Sequence, residues 1–208
     1  KSLVLQNTPN LSDVDTMKEL LESLGVSILH KTKVREMILE LKHEDKFKAE
    51  YEIVKKMRAS ILVLGPLLAK FGKAVVALPG GCAIGARPVN LHLFGLRALG
   101  ASFSIDNGYI KGLVKGRLRG AKIEFPSRSV GATANIIMAA VSAKGVTEII
   151  NVAQEPEIVD LCNCLIKMGC KIEGAGTNRI FIEGVEVFKE TQHKVIMDRI
   201  ELGTYILA

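Results

Sequence analysis

Apolar and polar positions along the chain follow two periods. Val14, Met17, Leu21 and Leu24 are spaced i, i+3, i+7, i+10, and Gly25 and Ile28 follow them. The pattern returns at Val89, His92, Leu96, Leu99, Gly100 and Phe103, and again at Ile158, Leu161, Leu165, Met168, Gly169 and Ile172. This spacing predicts three amphipathic helices, each ended by a glycine that turns the chain into a strand. Strand pairs are expected after two of them. Residues 101–105 should pair with Tyr109–Val114 across Asp106-Asn107-Gly108, and Lys171–Glu173 with Arg179–Glu183 across residues 174–178. The Asn-Gly step suits a tight hairpin.

A second kind of helix is predicted over residues 57–70 and 130–143. The first ends near Gly72 and runs into a strand at 74–78; the second ends near Gly145 and runs into a strand at 147–152. Both are small or apolar on nearly every side, so they belong inside, with sheets around them. Gly72 and Gly145 are 73 positions apart, as are Ser60 and Thr133. The repeating unit is therefore helix, strand, helix, strand, strand, about 70 residues long, and three copies fit with the first incomplete. The expected fold class is α/β: a threefold repeat of helix-strand units with the helices inside, an inside-out α/β barrel. Residues 199–208 read as the opening of another buried helix, with Gly203-Thr204 where Ala132-Thr133 stand in the preceding copy. The chain is accordingly expected to be a piece of a longer protein. Residues 32–51, the most charged stretch, read as a solvated hairpin.

Composition narrows the partners. With 208 residues, 48% hydrophobic and 24% charged, the chain can bury a sizeable core and is neither disordered nor fibrous. Lys and Arg number 28 against 22 Asp and Glu, a net charge of +6. That excess points to anionic partners without choosing among nucleic acid, nucleotide and phosphorylated metabolite. Aromatic residues are 5% and Trp is absent, which counts against a single-strand binder. No run approaches the roughly 20 apolar residues of a membrane span, and the first residues turn polar too quickly for a signal peptide. Cysteines stand at 82, 162, 164 and 170 with no C-x-x-C, so reduced thiols and a cytoplasmic location are expected.

Three segments carry candidate chemistry. Leu78-Pro79-Gly80-Gly81-Cys82-Ala83-Ile84-Gly85-Ala86-Arg87-Pro88 lies between a strand and the second amphipathic helix. A cysteine in a glycine-rich loop, near Arg87 and a helix start, is placed for a lowered thiol pKa; it is equally a small hydrophobe in a tight turn. Arg58 and Arg87 each stand near a helix start, where guanidinium and amide donors hold phosphate, or where a surface Arg pairs a carboxylate. Ser127-Arg128-Ser129-Val130-Gly131-Ala132-Thr133 opens the next buried helix and forms a plausible anion nest, although Ser129 is also a good N-cap. Cys162, Cys164 and Cys170 read as structural. Asp13, Asp15 and Glu157 need only complement helix dipoles. The four histidines form no cluster. The sequence contains no P-loop, no G-x-G-x-x-G after a strand and no H-E-x-x-H.

The string 78–92, Leu-Pro-Gly-Gly-Cys-Ala-Ile-Gly-Ala-Arg-Pro-Val-Asn-Leu-His, closely resembles the reactive loop of the UDP-N-acetylglucosamine enolpyruvyl transferase family. Met57-Arg58-Ala59-Ser60, Ser129-Val130-Gly131-Ala132-Thr133, Glu155-Pro156-Glu157-Ile158-Val159-Asp160 and Asp198-Arg199-Ile200-Glu201 resemble that family's other signatures in the same order. The resemblance covers essentially the whole chain. It implies one of two similar domains: residues 1–197 as the Cys-loop, UDP-sugar-binding domain and 198–208 as the start of a crossover into a second domain, the rest of which is absent. It implies transfer of the enolpyruvyl group of phosphoenolpyruvate to the 3-hydroxyl of UDP-N-acetylglucosamine, with phosphate released and no metal or other cofactor. Cys82 would be the general acid and can form an adduct. Arg58, Arg87, Pro88, Val89, Asn90 and Leu91, with Ser127, Arg128, Ser129 and Val130, would bind the substrates. Asn90 stands where many members have Asp, and the family's Lys-Asn pair would precede Lys1. The chain is expected to act on small molecules as a monomer, away from nucleic acid and membranes, with the second domain needed for turnover. Two other readings compete: the sister enzyme acting on shikimate phosphate, and a non-catalytic nucleotide or RNA-binding domain.

Overall fold

The computed structural model describes residues 2–78 and 89–207. The elements repeat as the periodicity requires. The first unit is β1 (Ser2–Gln6), α1 (Ser12–Ser23), β2 (Val26–Lys31) and β3 (Glu36–Leu41). A short β4 (Lys48–Ala49) and α2 (Tyr51–Val54) lead into a 3-10 segment, Arg58–Val63, that continues as α3 (Leu64–Phe71). The second unit goes on with β5 (Lys73–Ala77), α4 (Asn90–Ala98), β6 (Ala101–Asp106) and β7 (Tyr109–Val114). After β8 (Lys122–Glu124) the third unit is α5 (Val130–Ala140), β9 (Val146–Ile150), α6 (Pro156–Lys167), β10 (Lys171–Glu173) and β11 (Arg179–Glu183), followed by β12 (Thr191–Lys194) and α7 (Arg199–Leu207).

Three four-stranded sheets result, ordered β12-β1-β3-β2, β4-β5-β7-β6 and β8-β9-β11-β10. Each has the same plan: a parallel leading strand, then the first, third and second strands of its unit, mutually antiparallel. Gly25, Gly100 and Gly169, which end the three amphipathic helices, share one backbone state at φ 92, 99 and 96°. α3 and α5 lie inside. In α5 every residue from Ala132 to Ile137 is buried, as are Ala139 and Ala140, in keeping with its lack of a polar side.

Two expectations change. Residues 32–51 are not one solvated hairpin. They supply β3, the strand between β1 and β2, which completes the strand pair of the first unit, and then β4 and α2. Met37 is buried in β3 while charged residues alternate around it, so the charge belongs to the outer face of an integral strand. α7 forms where a buried helix was expected, but none of its residues is buried. Among the described residues, no helix is long and apolar enough to cross a membrane.

The inner helices meet at glycines. A Cβ on Gly65 of α3 would lie 2.4 Å from Asn135 Oδ1 and 2.6 Å from Asn135 O, and one on Gly95 of α4 would lie 2.6 Å from Ile136 Cγ1. α5 is thus gripped at two consecutive residues by two helices whose backbones approach because a side chain is missing. Gly65→Ala should lower stability by about 2 kcal/mol, although helix propensity alone favours Ala by about 1 kcal/mol, because the neighbouring atoms are a buried, hydrogen-bonded amide oxygen and a backbone carbonyl. Gly203→Ala in exposed α7, where a Cβ meets nothing within 4 Å, should be neutral or stabilising. Urea midpoints of the two variants test the contrast.

Candidate functional site

The amino ends of three helical segments converge. Arg58 opens the 3-10 segment before α3, Asn90 opens α4, and Ser129 caps α5. Together they border a cavity of about 580 Å³ whose wall comes from Arg58, from residues 90–92 and from residues 126–131. These stretches are far apart in sequence. The repeat brings them together because each is the same end of an equivalent or neighbouring helix.

Local chemistry shapes each part. Ser129 Oγ accepts a hydrogen bond from Ala132 N–H at 3.2 Å, the role of an N-cap. The earlier amides of Val130 and Gly131 precede the first intrahelical bond, so they are available to an anion. Arg128 is exposed, and its guanidinium donates to Asn151 Oδ1 at 3.4 Å and Asn178 Oδ1 at 3.3 Å. Both partners are neutral, so they position the group without cancelling its charge. Asn151 also donates to Phe125 O at 2.8 Å, which ties this support to the strand end before residue 126. No carboxylate lines the cavity among the described residues. Two guanidinium groups and two helix amino ends therefore give it the chemistry of a candidate anion site.

Beneath the cavity floor lies a polar network. His92 is 5% exposed and Asn135 is fully buried. Asn135 Oδ1 accepts from Gly65 N–H at 2.8 Å, Nδ2 donates to Ile61 O at 3.2 Å, and Nδ2 lies 3.0 Å from His92 Nδ1. Burial, with the nearby Arg58 charge second, lowers the His92 pKa from 6.5 to about 4. The ring is neutral at physiological pH.

Arg58, Asn90, Leu91, Ser127, Arg128, Ser129 and Val130 all stand in the cavity wall. Val89 adjoins it as the N-cap of α4. Cys82, Arg87 and Pro88 lie outside the described residues. Thr133 leaves the suggested anion nest, because it is fully buried and its Oγ1 accepts from Ala153 N–H at 3.1 Å. Gly131 of the suggested nest also lines the cavity, and His92 joins it. His92 had read as one more position of an apolar helix face, and its being the only polar residue of that stripe was the available signal. The remaining thiols are held protonated by burial. Cys162 and Cys170 are pushed up to about 11, and Cys164 is raised as well, with the Asp160 charge as a second cause. A larger groove of about 710 Å³ lies at the opposite end of α5, lined by Leu3, Met138, Leu161, Leu165 and Phe188 among others. Its wall is mainly apolar and lacks the convergent helix amino ends of the cavity.

A family model described as EPSP synthase (3-phosphoshikimate 1-carboxyvinyltransferase) matches residues 1–208. The chain belongs to this enolpyruvyl transferase family. Among its relatives, a protein of Dinoroseobacter shibae named UDP-N-acetylglucosamine 1-carboxyvinyltransferase is 59% identical over 208 residues, covering 99% of this chain and 49% of the relative. One of the same name from Rickettsia akari is 55% identical, covering 99% and 50%. The chain therefore spans about half the length of the curated relatives it matches. Of solved structures, the enolpyruvyl transferase NikO from Streptomyces tendae aligns with a TM-score of 0.85 at 19% identity, over 99% of this chain and 48% of that one. EPSP synthase from Acinetobacter baumannii aligns at 0.71 with 18% identity, over 93% and 44%. At these identities the structures bear on the fold alone, and they agree with the threefold α/β plan.

The lowered His92 pKa has a consequence for stability. A folded pKa below the unfolded one means the native state binds the proton more weakly. Stability from this residue is complete above about pH 6.5 and is lost as pH falls toward 4, by at most about 3 kcal/mol. His92→Gln abolishes the titration. Denaturant unfolding at pH 7 and pH 4.5 should show the parent protein losing more stability than the variant.

Proposed function

We propose that this chain is the Cys-loop domain of an enolpyruvyl transferase that uses phosphoenolpyruvate and UDP-N-acetylglucosamine, a first committed step in peptidoglycan synthesis. One observation supports this above the rest. Arg58, Asn90, Leu91 and Ser127 to Val130, separated by up to 72 positions, line a single cavity between helix amino ends with no carboxylate among the described residues of its wall. The names carried by relatives at 55–59% identity favour the nucleotide sugar over shikimate phosphate as acceptor. The cavity's small size and the want of aromatic side chains among the described residues of its wall disfavour RNA.

In this reading the diphosphate of the sugar nucleotide lies against the α5 amides and the arginines. Val89 and Asn90 tie the cavity wall to the segment that carries Cys82, Arg87 and Pro88. The Cys82 thiol gives its proton to the methylene carbon of phosphoenolpyruvate while the sugar 3-hydroxyl, passing its own proton to a base on the second domain, adds to the neighbouring carbon. The Cys82 thiolate then takes a proton back from the new methyl group as the tetrahedral intermediate expels phosphate, which restores the double bond and the thiol. Arg87 and Arg58 neutralise charge on the phosphate and carboxylate. A second domain, with residues 198–208 as the crossover, closes over the cavity and excludes water. Both substrates are cytoplasmic metabolites, so the enzyme works there, as a monomer without a cofactor.

The test uses the full-length protein. Fosfomycin should add to Cys82 far faster than to Cys162, Cys164 or Cys170, as peptide mass spectrometry would report; equal labelling of the four would sink the assignment. Arg58→Ala should raise the KM for UDP-N-acetylglucosamine about 10- to 100-fold, the loss expected for a hydrogen bond to a charged group. Residues 1–208 alone should bind the sugar nucleotide weakly and give no turnover. Preferential use of shikimate 3-phosphate would overturn the reading.

A further inference from the structure

On sequence alone Glu157 needs only to complement the dipole of α6, and the reaction above assigns it nothing. In the structure it holds the chain where α7 begins. Arg199 Nε donates to Glu157 Oε2 at 3.1 Å, and Arg199 Nη2 donates to Glu157 Oε1 at 2.8 Å. This pair joins the first turn of α6 to the first residue of α7 across 42 positions. Two bonds from a planar fork fix direction as well as distance, whereas a single ammonium supplies attraction alone.

The residues before Arg199 are fastened one after another. Val195 N–H donates to Gln6 O at 2.9 Å, and Val195 O accepts from Asn7 Nδ2. Ile196 N–H donates to Asp160 Oδ2 at 3.5 Å. Asp198 Oδ1 accepts from the amides of Ile200 and Glu201 at 2.8 and 3.2 Å, which caps α7. The chain is thereby led across the amino end of α6. Beyond that point the support changes. None of the described residues of α7 is buried, so packing on this domain does not set its direction. The place also bears on the site. Leu161 and Leu165, in the later half of α6, line the groove at the carboxyl end of α5, and the two helices pack together. They run in the same sense, and the amino end of α6 stands at the cavity end. We propose that Glu157 and Arg199 are positioning residues for the enolpyruvyl transfer: their fork sets the direction in which the chain leaves this domain, and with it the angle at which the second domain meets the cavity. The inference rests on the reading of residues 198–208 as the crossover. Neither residue stands in the cavity wall, so both act through the placement of other groups.

The test again uses the full-length enzyme. Glu157→Gln keeps the side-chain shape and loses the charge, and Arg199→Lys keeps the charge and loses the fork. Each should lower kcat about 3- to 10-fold, the share of one charge-assisted bond, with the KM for UDP-N-acetylglucosamine near that of the parent because the cavity is intact. The double variant should lose no more than the larger single loss, since the two side chains act as one unit. Urea midpoints should barely move, because both side chains are about half exposed and such pairs add little stability. Glu183→Gln, which breaks an exposed pair with Lys171 on the third sheet, should leave kcat unchanged. Parent-like kcat in either single variant, additive losses in the double variant, a raised KM in place of a lowered kcat, or a fall in urea midpoint that accounts for the lost turnover would overturn the inference while leaving the function standing. Small-angle X-ray scattering should show the unaltered enzyme becoming more compact with UDP-N-acetylglucosamine. No compaction, or full turnover by residues 1–208 alone, would end the crossover reading and the inference with it.

Discussion

The side chain of Asn135 is the constraint on which the site depends. It is fully buried on α5 and reaches three other segments: the carbonyl of Ile61, the amide of Gly65 and the ring of His92. Removing it would strand several buried polar groups, each at a cost of about 1–3 kcal/mol. Gly65 and Gly95 permit the approach that these bonds require. Arg58 begins the segment that contains Ile61, and His92 follows Asn90 by two residues. One amide thus sets the spacing of the three helix ends that frame the cavity. A buried hydrogen-bond network has value here less for net stability than for allowing a single arrangement.

Charge elsewhere on the molecule behaves differently. Pairs such as Lys56 with Glu19 or Lys171 with Glu183 are half exposed and contribute little, because water already solvates both members. In the cavity wall Arg128 is steadied instead by the neutral amide oxygens of Asn151 and Asn178. The net charge of +6 alone said only that some anion was welcome. Arg58 and Arg128 at helix amino ends make this cavity the candidate place.

Much of this was legible in the residues. Periodicity located α3 to α6, the hairpin at Asn107-Gly108 and the pairing of Lys171–Glu173 with Arg179–Glu183. The hairpin of the first unit was obscured because Glu36–Leu41 carries charges on its outer face and only Met37 is buried. For the site, local strings found Arg58, Asn90, Leu91 and residues 127–130, since helix starts and small polar residues are sequence-local features. His92 and Asn135 were not legible. Their roles come from bonds between positions 43 residues apart; the lone polar position of His92 in an apolar stripe marks it out without saying what it bonds to, and nothing local marks Asn135. Thr133 shows the reverse: a hydroxyl in a suggestive string turned inward to Ala153.

The burial of Asn135 depends in turn on how the three sheets close around α5. In the second and third sheets the leading strand and the first strand are joined by a buried helix, so their pairing is local. In the first sheet the partners are β1 and β12, in register from Leu3 with Thr191 to Gln6 with Lys194. That pairing spans nearly the whole chain and carries the largest loop-closure entropy in the fold. It is reinforced where it forms. Asn7 Nδ2 donates to Val195 O at 2.9 Å, Thr191 Oγ1 donates to Lys167 O at 2.9 Å, and His193 Nε2 lies 3.0 Å from Asp160 Oδ1. The last two contacts fasten β12 to α6, which itself packs on α5. Closure of the first sheet and enclosure of the central helix are therefore one event. The anion cavity at the amino end of α5 takes shape only when the most sequence-distant strands of the domain have met.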